Sequence, residues 1–420
     1  MKKLMKWGII PFIVYAIMLY VYLWYIADSS LPQELIGTRA DPHTFMTEKE
    51  IMLANEYSKI RNFFYFLSYP YEWFVYGAIL FLGFSKTFQQ WAEKITRFRI
   101  LQAGIFIFWF SFWTTLAILP LKLFRYYFAR QYQISIQPLP DWIQDQLISF
   151  WEGLVLLWIV IIVVYFLMSR FQKYWWIITW ILFIPFVFFF MYIQPVLIDP
   201  LYNDFYPMKD KQLEEKILAL ASEVDVSADR VWEVNMSEKT NSINAYVTGV
   251  GGNSRIVLWD TLLQRLHEEE ILFIMAHELG HYVLHHVTLG VTGYIVFSLG
   301  VFYLVYRLTK LMLKKWGRQM RIQRMEEFAS LPILLLLISV ILFAASPVTN
   351  YVSRHMEHTA DVYAIELTGN QDAAIGAFQE ITKAGLSEVN PPTLIKIFRY
   401  THPPMVDRIY FIQNYTEETN

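Results

Sequence analysis

Apolar runs long enough to cross a bilayer constrain this chain more than any other feature. About seven segments qualify: Trp7–Ala27, Phe74–Phe88, Ile100–Leu121, Gly153–Ser169, Trp175–Gln194, Leu289–Thr309 and Leu331–Val348. The second is the shortest and follows Pro70. The others hold almost no charge, and helices apolar all round suit lipid rather than the surface of a soluble domain. Composition agrees, with 55% hydrophobic and only 17% charged residues, against roughly 25% charged in soluble domains. The first run follows several lysines and has no small-residue cleavage site after it, so it reads as a retained anchor. The expectation is a mainly α-helical protein that passes several times through the cell membrane.

The stretch Asp199–Thr288 differs in kind, being polar and charged. Lys211–Glu223 has helical patterning, and short strand-like runs follow at Arg230–Asn235, Ala245–Thr248 and Arg255–Trp259. Gly249, Gly251 and Gly252 put a turn between the last two, which predicts a hairpin. The tail after Tyr351 is again polar and helical in pattern. The chain thus divides into 1–198 with five spans, 199–288 as a polar region, 289–350 as a helical hairpin in the membrane, and 351–420 as a second polar piece. The two polar pieces form a small α+β cap.

Charge placement predicts sidedness. The loop with Lys310, Lys314, Lys315, Arg318, Arg321 and Arg324 shares a side with Lys2, Lys3 and Lys6, with Lys86, Lys94, Arg97 and Arg99, and with Arg170 and Lys173. The opposite short loops carry fewer cations, chiefly Arg39, Lys49, Lys59, Arg61, Arg125 and Arg130. The positive-inside rule then puts the N-terminus in the cytoplasm and the polar cap on the far side. The net charge of −2 indicates no nucleic-acid partner. No cysteine is present, which excludes disulfides and thiolate chemistry and leaves His, Asp and Glu as the strong metal ligands.

His277-Glu278-Leu279-Gly280-His281 is an HExxH sequence in a stretch that favours helix. Positions four apart share a helix face, so both imidazoles can reach one zinc ion, while Glu278 is placed to take a proton from water attacking a peptide carbonyl. A catalytic zinc needs a third protein ligand and an open position. After the last span the chain returns to the same side with Glu357, flanked by His355 and His358, and spacing leaves the three as rivals. Asp361, one turn beyond Glu357, can fix the tautomer of a ligand imidazole. His285 stands four residues after His281, which makes a stripe of three histidines, with His286 beside it; both suit a supporting or interfacial place. His402, in Thr401-His402-Pro403-Pro404, can stabilise an oxyanion or position substrate. A peptidase is the leading reading. A transporter or scaffold with a non-catalytic zinc site is the alternative, against which stands the presence of Glu278, which a structural site does not need.

With these residues on the page, the chain resembles the type I CAAX prenyl proteases and their bacterial relatives, which are integral-membrane zinc metallopeptidases. The resemblance runs through Asp199-Pro200-Leu201-Tyr202-Asn203, Asn244 to Gly249, Arg255 to Leu258 with Asp260-Thr261-Leu262, His277 to His281, Glu357 with Ala360-Asp361, and His402-Pro403-Pro404 with Arg408. It implies that Glu357 is the third ligand of a single zinc ion. It implies that the strand of Asn244, Ala245, Tyr246, Val247 and Thr248 is an edge that pairs with extended peptide or membrane-protein substrates. It also implies roles near the scissile bond for His402, Asn244 and Arg408, and spans that enclose a water-filled chamber with the zinc at one end. Eukaryotic members trim prenylated CAAX proteins; cleavage of misfolded membrane proteins or signal-peptide remnants is the expectation for a bacterial relative.

Overall fold

The computed structural model describes residues 2–226, 228–248 and 255–416. Six of its helices are long and apolar enough to cross a membrane: Gly8–Ile26, Arg99–Gln131, Leu139–Arg170, Trp175–Leu201, His286–Met320 and Phe328–Thr368. They take up six of the seven expected segments. The remaining segment, Phe74–Phe88, is not one span. A helix from Glu48 to Phe81 precedes it, started by a capping box between Thr47 and Glu50. That helix ends at Leu82, and Gly83 turns the chain with φ of 81°, a left-handed conformation that glycine adopts without strain. Phe84–Ile95 then forms a separate helix. The helix Glu48–Phe81 packs against the spans Gly8–Ile26, Arg99–Gln131 and Phe328–Thr368, but its charged first half and, in its second half, Glu72 and several tyrosines make it too polar to count among the six.

The basic segments expected on one side do meet. Lys86 Nζ lies 2.5 Å from Glu327, the Ala329 N–H donates to Gln89 Oε1 at 3.0 Å, and Arg99 donates to the Glu326 carbonyl at 3.3 Å. Cations on both sides lie within helices rather than loops: Lys49, Lys59, Arg61, Arg125 and Arg130 on one side, and Lys86, Lys94, Lys310, Lys314, Lys315 and Arg318 on the other. Sequence windows could not see that these helices extend well past their apolar stretches.

The two largest of four buried clusters among the described residues hold most of the molecule together. One lies among the spans, around Phe106, Tyr165, Val305, Phe328 and Leu331. Between helices in lipid, such contacts stabilise by close packing rather than by removal from water. Ile17, Phe166, Phe189 and Val296 point outward, as lipid-facing positions do. The second cluster forms the cap, around Ile217, Ile256, Phe273, Phe378 and Ile409. There each buried side chain of this size contributes about 1.5–3 kcal/mol.

In the cap, the helix Lys211–Glu223 forms where expected, with the Asp210 carboxylate accepting from the Gln212 and Leu213 N–H groups. The strands are β1 (Phe205–Pro207), β2 (Val231–Val234), β3 (Ala245–Thr248) and β4 (Arg255–Trp259), in the order β1-β2-β4-β3. β1 has too few residues to show a period and was not foreseen. β3 and β4 pair antiparallel, Ala245 opposite Leu258 and Thr248 opposite Arg255, as a hairpin requires. The glycines expected to turn it, Gly249, Gly251 and Gly252, lie outside the described residues. β3 is an edge of the sheet among the described residues.

The HExxH helix, Glu268–Val283, packs against Leu331–Thr368, a single helix that leaves the spans and continues into the cap. The approach is close at Gly280, where an added Cβ would stand 3.0 Å from Tyr363 Cδ1. Gly280→Ala is expected to lower stability by about 1–2 kcal/mol, measured by thermal unfolding in detergent. The cost should largely vanish in a Tyr363→Ala background; an equal cost there would mean that this contact does not set the helix spacing.

Candidate metal centre

His277 and His281 stand one turn apart on the Glu268–Val283 helix, and Glu357 and Asp361 stand one turn apart on the helix it packs against. The interface therefore puts two imidazoles opposite two carboxylates. One ligand atom from each of His277, His281 and Glu357 lies within 4.8 Å of the others. His277 Nε2 is 3.1 Å from His281 Nε2 and 3.2 Å from Glu357 Oε2, and His281 Nε2 is 3.5 Å from Glu357 Oε1. Bonds of about 2.0–2.1 Å at tetrahedral angles separate ligand atoms by about 3.3 Å, so the spacing fits one small metal ion. Glu357 Oε2 is buried and lacks a properly directed hydrogen bond, although His277 and His402 approach it. The three ligand groups converge on a common point.

The neighbouring histidines do not compete for that point. His358 packs edge-on against the Phe411 ring, with centroids 4.5 Å apart. His355 is exposed, and neither belongs to the cluster. Helical spacing turns both away from the face that Glu357 shares with Asp361.

Each histidine of the pair is backed differently. His277 Nδ1 lies 2.9 Å from Asp361 Oδ1, and Arg408 holds that carboxylate with two bonds, from Nε at 2.8 Å and Nη2 at 2.6 Å. Asp361 and Arg408 are both buried. Burial works against charge on His277, but the Asp361 and Glu357 carboxylates outweigh it and raise its pKa to about 9. A metal ion binding there displaces that proton. His281 Nδ1 instead meets His286 Nδ1 at 3.0 Å, and His286 Nε2 lies 3.2 Å from Thr359 Oγ1.

That second contact corrects one expectation. The HExxH helix ends at Leu284, and His285 adopts a left-handed φ of 57° before the next helix begins. The break ends the helical register, so His285 does not extend the stripe of His277 and His281. It folds His286 back onto His281 instead. A break at a non-glycine residue has no sequence signal here.

A cavity of about 380 Å³ opens beside the cluster, lined by His277, Glu278, His402 and Arg408 and by Asn244 and Ala245. Burial raises the Glu278 carboxyl above its ordinary pKa. His402 Nε2 is 3.3 Å from Glu357 Oε2, and its side chain is half exposed on the cavity wall. Arg354 donates to the Lys396 and Tyr400 carbonyls at 2.9 and 2.7 Å and so holds the segment that carries His402. Its spacing from Glu357 gives no hint of this. Of the expected edge-strand residues, Asn244 and Ala245 reach the cavity, while Tyr246, Val247 and Thr248 continue the edge away from it.

Residues 207–416 match the family model described as Peptidase family M48, and residues 32–204 match CAAX prenyl protease N-terminal, five membrane helices. This chain belongs to peptidase family M48. It is an integral-membrane metalloendopeptidase with several membrane-spanning helices. It is 46% identical to the uncharacterized metalloprotease YhfN of Bacillus subtilis, over 97% of this chain and 96% of that one. It is 26% identical to CAAX prenyl protease 1 homolog of Arabidopsis thaliana over 93% of this chain and 92% of that one, and 30% identical to CAAX prenyl protease 1 of Saccharomyces cerevisiae over 54% and 53%. The crystal structure of Ste24p from S. mikatae has the same fold, with a TM-score of 0.79, 21% identity and 97% of each chain covered.

Arg408→Met leaves the buried Asp361 carboxylate without its partner. The expected loss is about 3–5 kcal/mol of stability, with metal affinity weakened roughly 10–100-fold. Thermal unfolding and competition with a chelator measure the two effects, and wild-type behaviour in both would remove Arg408 from any supporting role.

Proposed function

We propose that the metal is a single zinc ion held by His277, His281 and Glu357, and that Glu278 is the general base for hydrolysis of peptide bonds in extended segments. The observation that carries this reading is the convergence of those three ligand groups at a cavity that Glu278 and the edge of β3 both line. When bound, zinc supplies Lewis acidity, which polarises a carbonyl and acidifies water. The Glu278 carboxylate takes the proton of the attacking water and returns it to the departing amine nitrogen. Its raised pKa suits that exchange, since burial brings the carboxyl nearer to neutrality.

The other residues bind and orient. The exposed edge of His402, next to Glu357, is placed to donate to the oxygen that gains charge as the carbonyl is attacked. Asn244 to Thr248 run along the outer edge of the sheet, where an added substrate strand can pair. Arg408 directs both of its close bonds to Asp361, which favours a role as a positioning residue acting through His277 over direct substrate contact. In this reading the peptidase machinery comprises residues 199–288 and 351–420, anchored by spans in 1–198 and 289–350 of a cell-membrane protein. Similarity to the CAAX prenyl proteases supports processing of C-terminal segments as one physiological task, and the membrane setting supports clearance of membrane-protein and signal-peptide segments as another.

Glu278→Gln tests the core of the proposal. The purified variant in detergent should keep its zinc yet lose at least about 10²–10⁴-fold in cleavage of a quenched unstructured peptide. Full activity with zinc retained would exclude Glu278 as the base.

A further inference from the structure

Beyond the active-site cavity lies a second one, of about 440 Å³, whose chemistry the mechanism does not use. Arg61 and Arg399 line both cavities. Lys122 and Arg125 complete the second one, and no carboxylate lines it among the described residues. None of these four cations has an Asp or Glu oxygen within ion-pairing distance among the described residues. Arg399 donates to Asn62 Oδ1, Lys122 to Gln146 Oε1 at 3.0 Å, and Arg61 rests over the Tyr57 ring, 5.6 Å from its centroid. Arg61 Nε is buried with no hydrogen-bond partner. Burial and the neighbouring Arg61 charge lower the Arg399 pKa to about 10. Glu388 lines the adjoining cavity, but it too stands outside ion-pairing distance of all four.

Arg61, Lys122 and Arg399 are half-buried and Arg125 is exposed, and Glu388 acts on Arg61 and Arg399 only from beyond ion-pairing distance. Four like charges around one cavity repel one another, and a bound anion offsets that repulsion with charge-assisted hydrogen bonds. The sheet indicates which anion. Asn244 and Ala245 are at the active-site cavity, whereas Thr248 is at the far end of β3. A peptide pairing antiparallel with β3, the commoner arrangement, runs from the Thr248 end towards Asn244. Beyond Asn244 the chain reaches Thr240, bridged to Ser135, and Ser135 lines the cationic cavity. The part of the peptide C-terminal to the scissile bond is thereby directed to Arg61 and Arg399.

We infer that this second cavity is a carboxylate-binding subsite, in which Arg61 and Arg399, backed by Lys122 and Arg125, hold a carboxylate of the peptide substrate on the C-terminal side of the cleaved bond. The inference rests on the peptidase reading above. The carboxylate is either the free C-terminus or an acidic side chain.

The test uses the full-length enzyme in detergent and a quenched ten-residue peptide without acidic side chains, made as the C-terminal acid and as the C-terminal amide. A second series places one Asp at successive positions of the amide peptide. Wild type should favour at least one carboxylate-bearing form over the plain amide by on the order of tenfold in kcat/KM. Preference for the acid alone identifies the C-terminus as the ligand; preference for an Asp peptide identifies a side chain. Arg61→Gln combined with Arg399→Gln should bring the ratio close to one, the corresponding Lys variants should keep part of it, and Lys122→Gln should reduce it several-fold. The ratio is internal to each variant, so a partly inactive preparation still reports it. Equal cleavage of all peptides by wild type, or a preference unchanged in the Gln variants, overturns the subsite and leaves the peptidase reading intact. Failure of zinc-loaded wild type to cleave any of the peptides overturns both.

Discussion

The contact between the HExxH helix and the helix Leu331–Thr368 is the constraint on which the rest depends. Neither helix holds a metal site alone. One presents His277 and His281 a turn apart, the other Glu357 and Asp361 at the same spacing. Gly280 allows the backbones to approach until Tyr363 fills the space its side chain would occupy. At that separation the ligand atoms come within 4.8 Å of one another, and Asp361 reaches the back of His277. A wider spacing would turn the same residues into two separate pairs.

The membrane spans serve this contact. The chain leaves the cap after His286, crosses, turns through the Phe328–Ser330 segment packed on Ser85 and Gln89, and crosses back as one unbroken helix. Glu357 arrives at the site on a rigid rod anchored in lipid. Rigidity of this kind favours metal binding and catalysis, because ligands already in place lose little conformational freedom when they engage. The buried Asp361–Arg408 pair adds a second tie, between the end of that rod and the C-terminal helix Met405–Gln413. The active-site wall and the metal support are thus built from the same few helices.

Charge distribution divides the interior by task. At the candidate metal centre, carboxylates and histidines neutralise one another through close contacts. Next to it, Arg61, Arg399, Lys122 and Arg125 share a cavity without that compensation. The two regions meet at a common wall, so a substrate bound at one feels the field of the other.

Much of this was legible in the amino-acid order. Six spans, the Lys211–Glu223 helix, the β3–β4 hairpin and the HExxH ligands depend on local periodicity or on spacing within a single helix, and local sequence determines those. The second expected span failed because hydropathy alone cannot place the break that Gly83 makes. That Glu357, and neither His355 nor His358, joins the cluster of His277 and His281 depended on which face of a helix meets another helix, which spacing left open and packing decided. The same holds for Arg408, whose partner is 47 residues away, and for His286, brought to His281 by a left-handed residue with no sequence mark. Arg61 and Arg399 are separated along the chain by most of its length, and only the tertiary structure puts them on one wall. Sequence determines what a segment can form by itself; long-range packing decides which faces meet, because the free energy of that meeting belongs to both segments at once.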